Sequence, residues 1–310
     1  MSPAVMTYAA IAREKAAIVE RTGLLGEGTA GARLVARFFI EGFATAEQRS
    51  LWLSELAAVA ISEPRVGAHP KLLTTRADDA PGGYSITGEK AWVTNGPLAA
   101  VFIVFGITSV EAGRKRYTAF LVPRDTPGLS IDEAPEYRAL APSRHCGLRL
   151  EACPVPRSAV LGPKDTAYET MAAPFRDVED AVGLFGLQGA FRFLLRRLAA
   201  PGGSEEAALS LGRLAALTAV FAEAAAAVVG ALDAGDVAPQ AGTLAGLRVL
   251  TRDMLLRART HRDAFGPGVC AEVARVFDDL EVALSVARGP RMARLRRLGA
   301  ALFAAAAAGE

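Results

Sequence analysis

Cysteine, histidine and tryptophan are scarce in this chain of 310 residues. Its three cysteines, Cys146, Cys153 and Cys270, include no pair at CxxC spacing. An odd count suits a reducing compartment better than a disulfide scaffold. The three histidines, His69, His145 and His261, lie far apart, with no HxxxH or His-carboxylate cluster, so no metal site is expected. An excess of one charge is also lacking. The formal net charge is +2, and the arginines, which far outnumber the lysines, are spread among acids without forming a basic arm. Nothing here suggests a nucleic-acid partner. The start, MSPAVMTYAAIAREK, has neither the basic opening nor the unbroken apolar run of a signal peptide. The alanine-rich runs near 219–229 and 300–308 read as too short or too interrupted to span a bilayer. A cytoplasmic protein that does not enter the membrane is the expectation. No repeat recurs at a fixed period.

What is present is an ordinary globular composition, 51% hydrophobic and 22% charged, arranged in three textures. Residues 1–59 read as a short helical section. TYAAIAREKAAIVERTG has helical spacing and a glycine at which to stop, and TAEQRSLWLSELAAVA opens with a capping-box pattern, Thr45 followed by Gln48. Residues 60–162 carry short β-branched and aromatic runs between Gly and Pro turns, which predicts an antiparallel barrel or sandwich. Residues 163–310 return to long helices with short connections, which predicts an antiparallel bundle. The fold class expected is α+β, with the sheet between two helical sections.

One motif misleads. GEGTAG at 26–31 fits GxGxxG, but helix-like sequence precedes it and no βαβ unit surrounds it, so it reads as a helix–helix connection. More specific are AISEP at 60–64, GGYSITGEKAWVTNG at 82–96, FLVPRDTPGLSI at 120–131 and CPVPRSAVLG at 153–162. In this order they resemble the middle domain of the acyl-CoA dehydrogenase family, whose versions contain Thr-Glu-Pro, Gly-x-Lys-x-Trp-Ile-Thr-Asn, Phe-Leu-Val and Pro-Gly. ATAEQRSLWLSELA resembles the helix that precedes that domain. The resemblance is strong over 43–162 and topological beyond.

The resemblance implies FAD as cofactor and acyl-CoA, or another acyl thioester, as substrate. It places Trp92 and its neighbour Val93 along the flavin ring, Thr94 near the ring's reactive edge, Ser62 at the pyrimidine side and Ile61 packed close by. An aromatic wall suits a flat, electron-poor ring, and donors near its edge stabilise charge arriving with a hydride. A lone tryptophan in a β-domain is ordinarily a core residue; the surrounding GEK and TN are what argue otherwise.

Several family features are missing. No Glu-Gly-Thr supplies the late-loop base found in most members. Glu179 matches an alternative base position on the first helix of the C-terminal section, registered by Gly186 and Gly189, although an acid in a helix's first turn also suits the macrodipole. Asp180 stands where the family usually has arginine, and Gly67-Ala68-His69 replaces Gly-Ser-Asp. The arginine–Phe-Gly–glutamine signature that holds the FAD pyrophosphate gives way to RRLAAPGGSEEAA. The paired glycines before the last helices are absent, and the N-terminal section is short. The expected function is α,β-dehydrogenation in fatty acid metabolism, by a homo-oligomer or by a hetero-oligomer in which a full-length homologous subunit completes the site. Two alternatives stand beside it: a catalytically silent scaffold or partner subunit, and a flavin oxidase or monooxygenase acting on a non-CoA substrate.

Overall fold

The computed structural model describes residues 6–133, 139–199, 203–235, 240–266 and 270–308. They fall into two compact units. The first takes in Gly28–Arg138 and Pro142–Glu179; the second takes in Met6–Glu27, Ala139–Ala141 and the chain from Asp180 onward.

The first unit opens with helices α2 (Thr29–Val35), α3 (Glu41–Phe43) and α4 (Ala46–Trp52), with a π-helical turn at Ala36–Ile40. The capping box at α4 forms as its sequence predicts. Thr45 Oγ1 accepts from Gln48 N, and Gln48 Oε1 accepts from Thr45 N at 3.0 Å. Gln48 is nonetheless buried, because its amide also donates to the carbonyls of Ser158 and Val160. Eight strands make one sheet: β1 (Ala57–Ala60), β2 (Arg76–Ala80), β3 (Gly83–Thr94), β4 (Val101–Glu111), β5 (Arg114–Pro123), β6 (Leu129–Glu133), β7 (His145–Pro156) and β8 (Val160–Leu161). They run in the order β6-β7-β3-β2-β4-β5-β8, with β1 alongside β4. The expected antiparallel sheet is in fact mixed, since β1 and β2 both pair with β4 in parallel. The β2–β3 hairpin intervenes between β1 and β4, and the chain crosses back rather than turning directly. Phe102, Val104, Phe120 and Leu148 fill the core.

The second unit contains α1 (Tyr8–Thr22), most of α5 (Ala173–Leu198), α6 (Glu205–Asp233), α7 (Ala241–Phe265), α8 (Ala271–Ser285) and α9 (Arg288–Ala308). α1 stops at Gly23, whose left-handed backbone closes the C-cap. At the other end, the carboxylate of Asp233 accepts from the first N–H groups of α1, Tyr8 at 2.8 Å and Ala9 at 3.0 Å. α6 begins at the Ser204 cap. It is long and apolar enough by composition to cross a membrane, which the alanine run taken alone understates. Its buried residues, Leu214, Thr218, Phe221, Ala225, Val228 and Leu232, recur at alternating steps of four and three, the seam of a packed bundle helix. The region of GEGTAG does join two helices, α1 and α2, and Gly28 is the N-cap residue of α2.

Candidate functional site

The site is built from an irregularity in β3. A strand alternates its side chains between faces. Here register shifts between Lys90 and Val93 of β3 as it pairs with β7, so both residues are buried with two others between them. Trp92 occupies the bulge with φ 58°, in the left-handed region, and is 60% exposed. A bulky residue there is a strained outlier, and such strain persists only where surrounding structure enforces it.

Lys90 supplies part of that enforcement. Its side chain is fully buried, and Nζ donates to Glu63 Oε1 at 3.1 Å and to the carbonyl of Ile61 at 3.2 Å. Glu63 also accepts from Thr74 N at 2.7 Å, Thr74 Oγ1 at 2.8 Å and Thr75 N at 2.9 Å. Burial opposes ionisation of Glu63, but Lys90 and these hydrogen bonds prevail and hold its pKa at about 2. Burial pulls Lys90 down to about 8, with Glu63 opposing. Ala91 N donates to the Ser62 carbonyl at 2.8 Å. The SEP segment is thereby laced to the strand at Lys90 and Ala91, the two residues before Trp92.

Of the residues expected from sequence, Ile61, Ser62, Trp92, Val93 and Thr94 come together here. Ile61 and Ser62 are half-buried and Thr94 is exposed. Val93 is fully buried among the core residues, which leaves its backbone, not its side chain, for a ligand. Glu179 lies on α5, exposed, one turn after Phe175, which packs on Phe39.

Three participants were not singled out in the sequence. Glu63 and Lys90 are the buried pair; a lysine within an apolar strand and an acid before proline were the available signals. The third is His145. It pairs across the sheet with Thr94, and its Nδ1 lies 3.2 Å from Thr94 Oγ1. Its Nε2 lies 3.3 Å from Ser143 Oγ, and its ring meets Trp92 edge-on at 6.4 Å. Burial lowers the pKa of His145. No group of metal-ligating side chains forms among the described residues. Of RRLAAPGGSEEAA, residues 200–202 lie outside the described residues.

An exposed indole next to a threonine hydroxyl is suited to a flat heteroaromatic ring. The family model "Acyl-CoA dehydrogenase, middle domain" matches residues 58–153. The chain is 37% identical over 124 residues to a mitochondrial 2-methylacyl-CoA dehydrogenase of Solanum tuberosum, a stretch covering 38% of this chain and 30% of that protein. The chain thus spans less than a third of that curated relative's length. The crystal structure of an acyl-CoA dehydrogenase from Geobacillus kaustophilus superposes with TM-score 0.79 at 18% identity, over 96% of this chain and 84% of that one. A glutaryl-CoA dehydrogenase from Mycobacterium smegmatis in complex with FADH2 superposes with TM-score 0.71 at 23% identity, over 95% and 88%. In sequence, residues 58–153 match the acyl-CoA dehydrogenase middle domain, and along nearly all its length the chain has the acyl-CoA dehydrogenase fold.

Proposed function

We propose that this chain binds FAD at the bulge of β3 and takes part in α,β-dehydrogenation of an acyl thioester. The observation that carries the reading is Trp92, exposed and strained beside Thr94 and the Ser62 segment. The family's flavoproteins, one of them captured with FADH2, support the choice of cofactor. When bound, the flavin supplies a hydride acceptor. Trp92 would cover one face of the ring and keep water from it. Thr94 would donate its hydroxyl at the ring edge, with His145 fixing that hydroxyl's direction. Ser62 would donate at the pyrimidine side. Glu179 would take the substrate's α-proton while the β-hydrogen leaves as hydride, so that a carbon–carbon double bond forms and both electrons are accounted for.

A second reading has its own observation. A carboxylate base is strongest in a dry pocket, yet Glu179 is exposed in this chain, and the pyrophosphate-holding signature is absent. This favours a full-length homologous subunit that completes the site. The test is anaerobic mixing of flavin-loaded protein with a panel of acyl-CoA thioesters, following the flavin's visible band. Bleaching that slows by about 100-fold or more in Glu179→Gln supports Glu179 as the base. Bleaching at an unchanged rate removes Glu179 from the mechanism. Bleaching seen only after a homologous subunit is added selects the second reading.

A further inference from the structure

The helical unit contains a cavity that the proposed chemistry does not use. α5, α7, the end of α8 and the start of α9 enclose a volume of about 220 Å³. Its charge is one-sided, with five arginines lining it against two aspartates. Asp180 Oδ1 accepts from Arg248 Nη2 at 2.6 Å and from Arg291 Nη2 at 2.7 Å. Burial disfavours its charge, but the two guanidiniums keep its carboxyl below the usual aspartate range. Asp180 thus bridges two guanidiniums, one from α7 and one from α9. Arg291 also donates through Nη1 to the carbonyls of Ala283 at 3.3 Å and Val286 at 2.6 Å, while its Nε is buried without a hydrogen-bond partner.

α9 adds to the imbalance. A helix N-terminus is the positive end of the backbone dipole and ordinarily attracts acids. The first turn of α9 has none. Its opening residues, RGPRMARLRR, hold five arginines instead. Arg288 of α9 and Arg252 of α7 both line the cavity, are exposed, and make no ion pair with any described residue. Leu244, Leu284 and Leu295 give the cavity an apolar wall. Excess positive potential over an apolar wall repels cations and attracts anions, and the wall adds affinity only for an anion with an apolar body.

We infer that this cavity binds a small amphipathic organic anion of the medium-chain carboxylate class. Its head lies toward Arg252 and Arg288 and its body against Leu244, Leu284 and Leu295. Asp180 shapes the site by holding Arg248 and Arg291 in the wall. The inference does not depend on flavin binding.

The test is calorimetric titration of the full chain with octanoate, butyrate, octyltrimethylammonium and inorganic phosphate. The site predicts saturable octanoate binding at one per chain, weaker butyrate, phosphate weaker by at least tenfold, and no binding of the cation. The Arg252→Glu/Arg288→Glu double variant, changed only at exposed positions, weakens octanoate at least tenfold with its far-UV circular dichroism unchanged. Should it lose its fold, the ligand series on the wild type decides alone. Absence of saturable octanoate binding, equal affinity for butyrate or phosphate, binding of the cation, or a folded double variant with unchanged affinity would each overturn the inference.

Discussion

Lys90 occupies a position where a strand ordinarily buries an apolar side chain, and among the described residues its ion-pair partner is Glu63. Removing one member of such a pair strands the other charge in the core. Lys90→Ala should therefore destabilise the fold by about 3–5 kcal/mol, read from urea denaturation. The simultaneous change to Lys90→Met and Glu63→Leu should cost much less, because no charge is left behind. The acid limb of stability follows from Glu63. Its folded pKa of about 2 lies below the ordinary 4.5, so its contribution is complete above about 4.5 and lost as pH falls toward 2. The shift corresponds to about 3 kcal/mol, and a urea midpoint that is flat between pH 5 and about 2 would contradict it. At this scale the sequence was legible where a motif named the residue: Trp92 and Thr94 lie on the strand to which Ser62 is hydrogen-bonded through Ala91 N. His145 was not, because its contact with Thr94 depends on the register of β7 against β3, strands separated by about fifty residues of chain. Isolated in sequence, it gave no sign of its neighbours.

Elements show the same division between local and distant information. The capping box at Thr45 and the Gly23 stop were readable because each involves residues within a turn of one another. The parallel pairing of β1 with β4 was not, since strand sense follows from a crossover and not from composition. The bulge in β3 was equally hidden, as it is a mismatch between two strands. Helix packing offers a matched pair of glycine tests. A Cβ on Gly189 of α5 would lie 2.5 Å from the backbone oxygen of Ala16 on α1, whereas one on Gly212 of α6 meets nothing within 4 Å. Gly189→Ala should push two helices apart and cost about 1–3 kcal/mol. Gly212→Ala should gain up to about 1 kcal/mol from helix propensity alone. Thermal melts of the two variants that shift in the same direction would contradict this reading of the α1–α5 contact.

At the scale of the molecule, two compact units are joined within one helix, α5. The order of textures along the chain was enough to place the sheet between helical sections, because composition changes sharply near the strands. It could not place α1 among the C-terminal helices, a grouping that rests on packing such as Gly189 against α1 and Asp233 at its N-terminus. The similarity in sequence is confined to the middle domain, and the likeness elsewhere is one of fold. The proposed flavin site is assembled mainly from that domain, and without the family's pyrophosphate signature it would lack charge-assisted hydrogen bonds that tighten binding. The most direct measurement is the visible absorption spectrum of the purified chain incubated with FAD and then desalted, alongside Trp92→Ala. Flavin bands that survive desalting in the wild type and diminish in the variant are the predicted result. A wild type that emerges colourless, or a variant that retains the bands undiminished, would contradict the account.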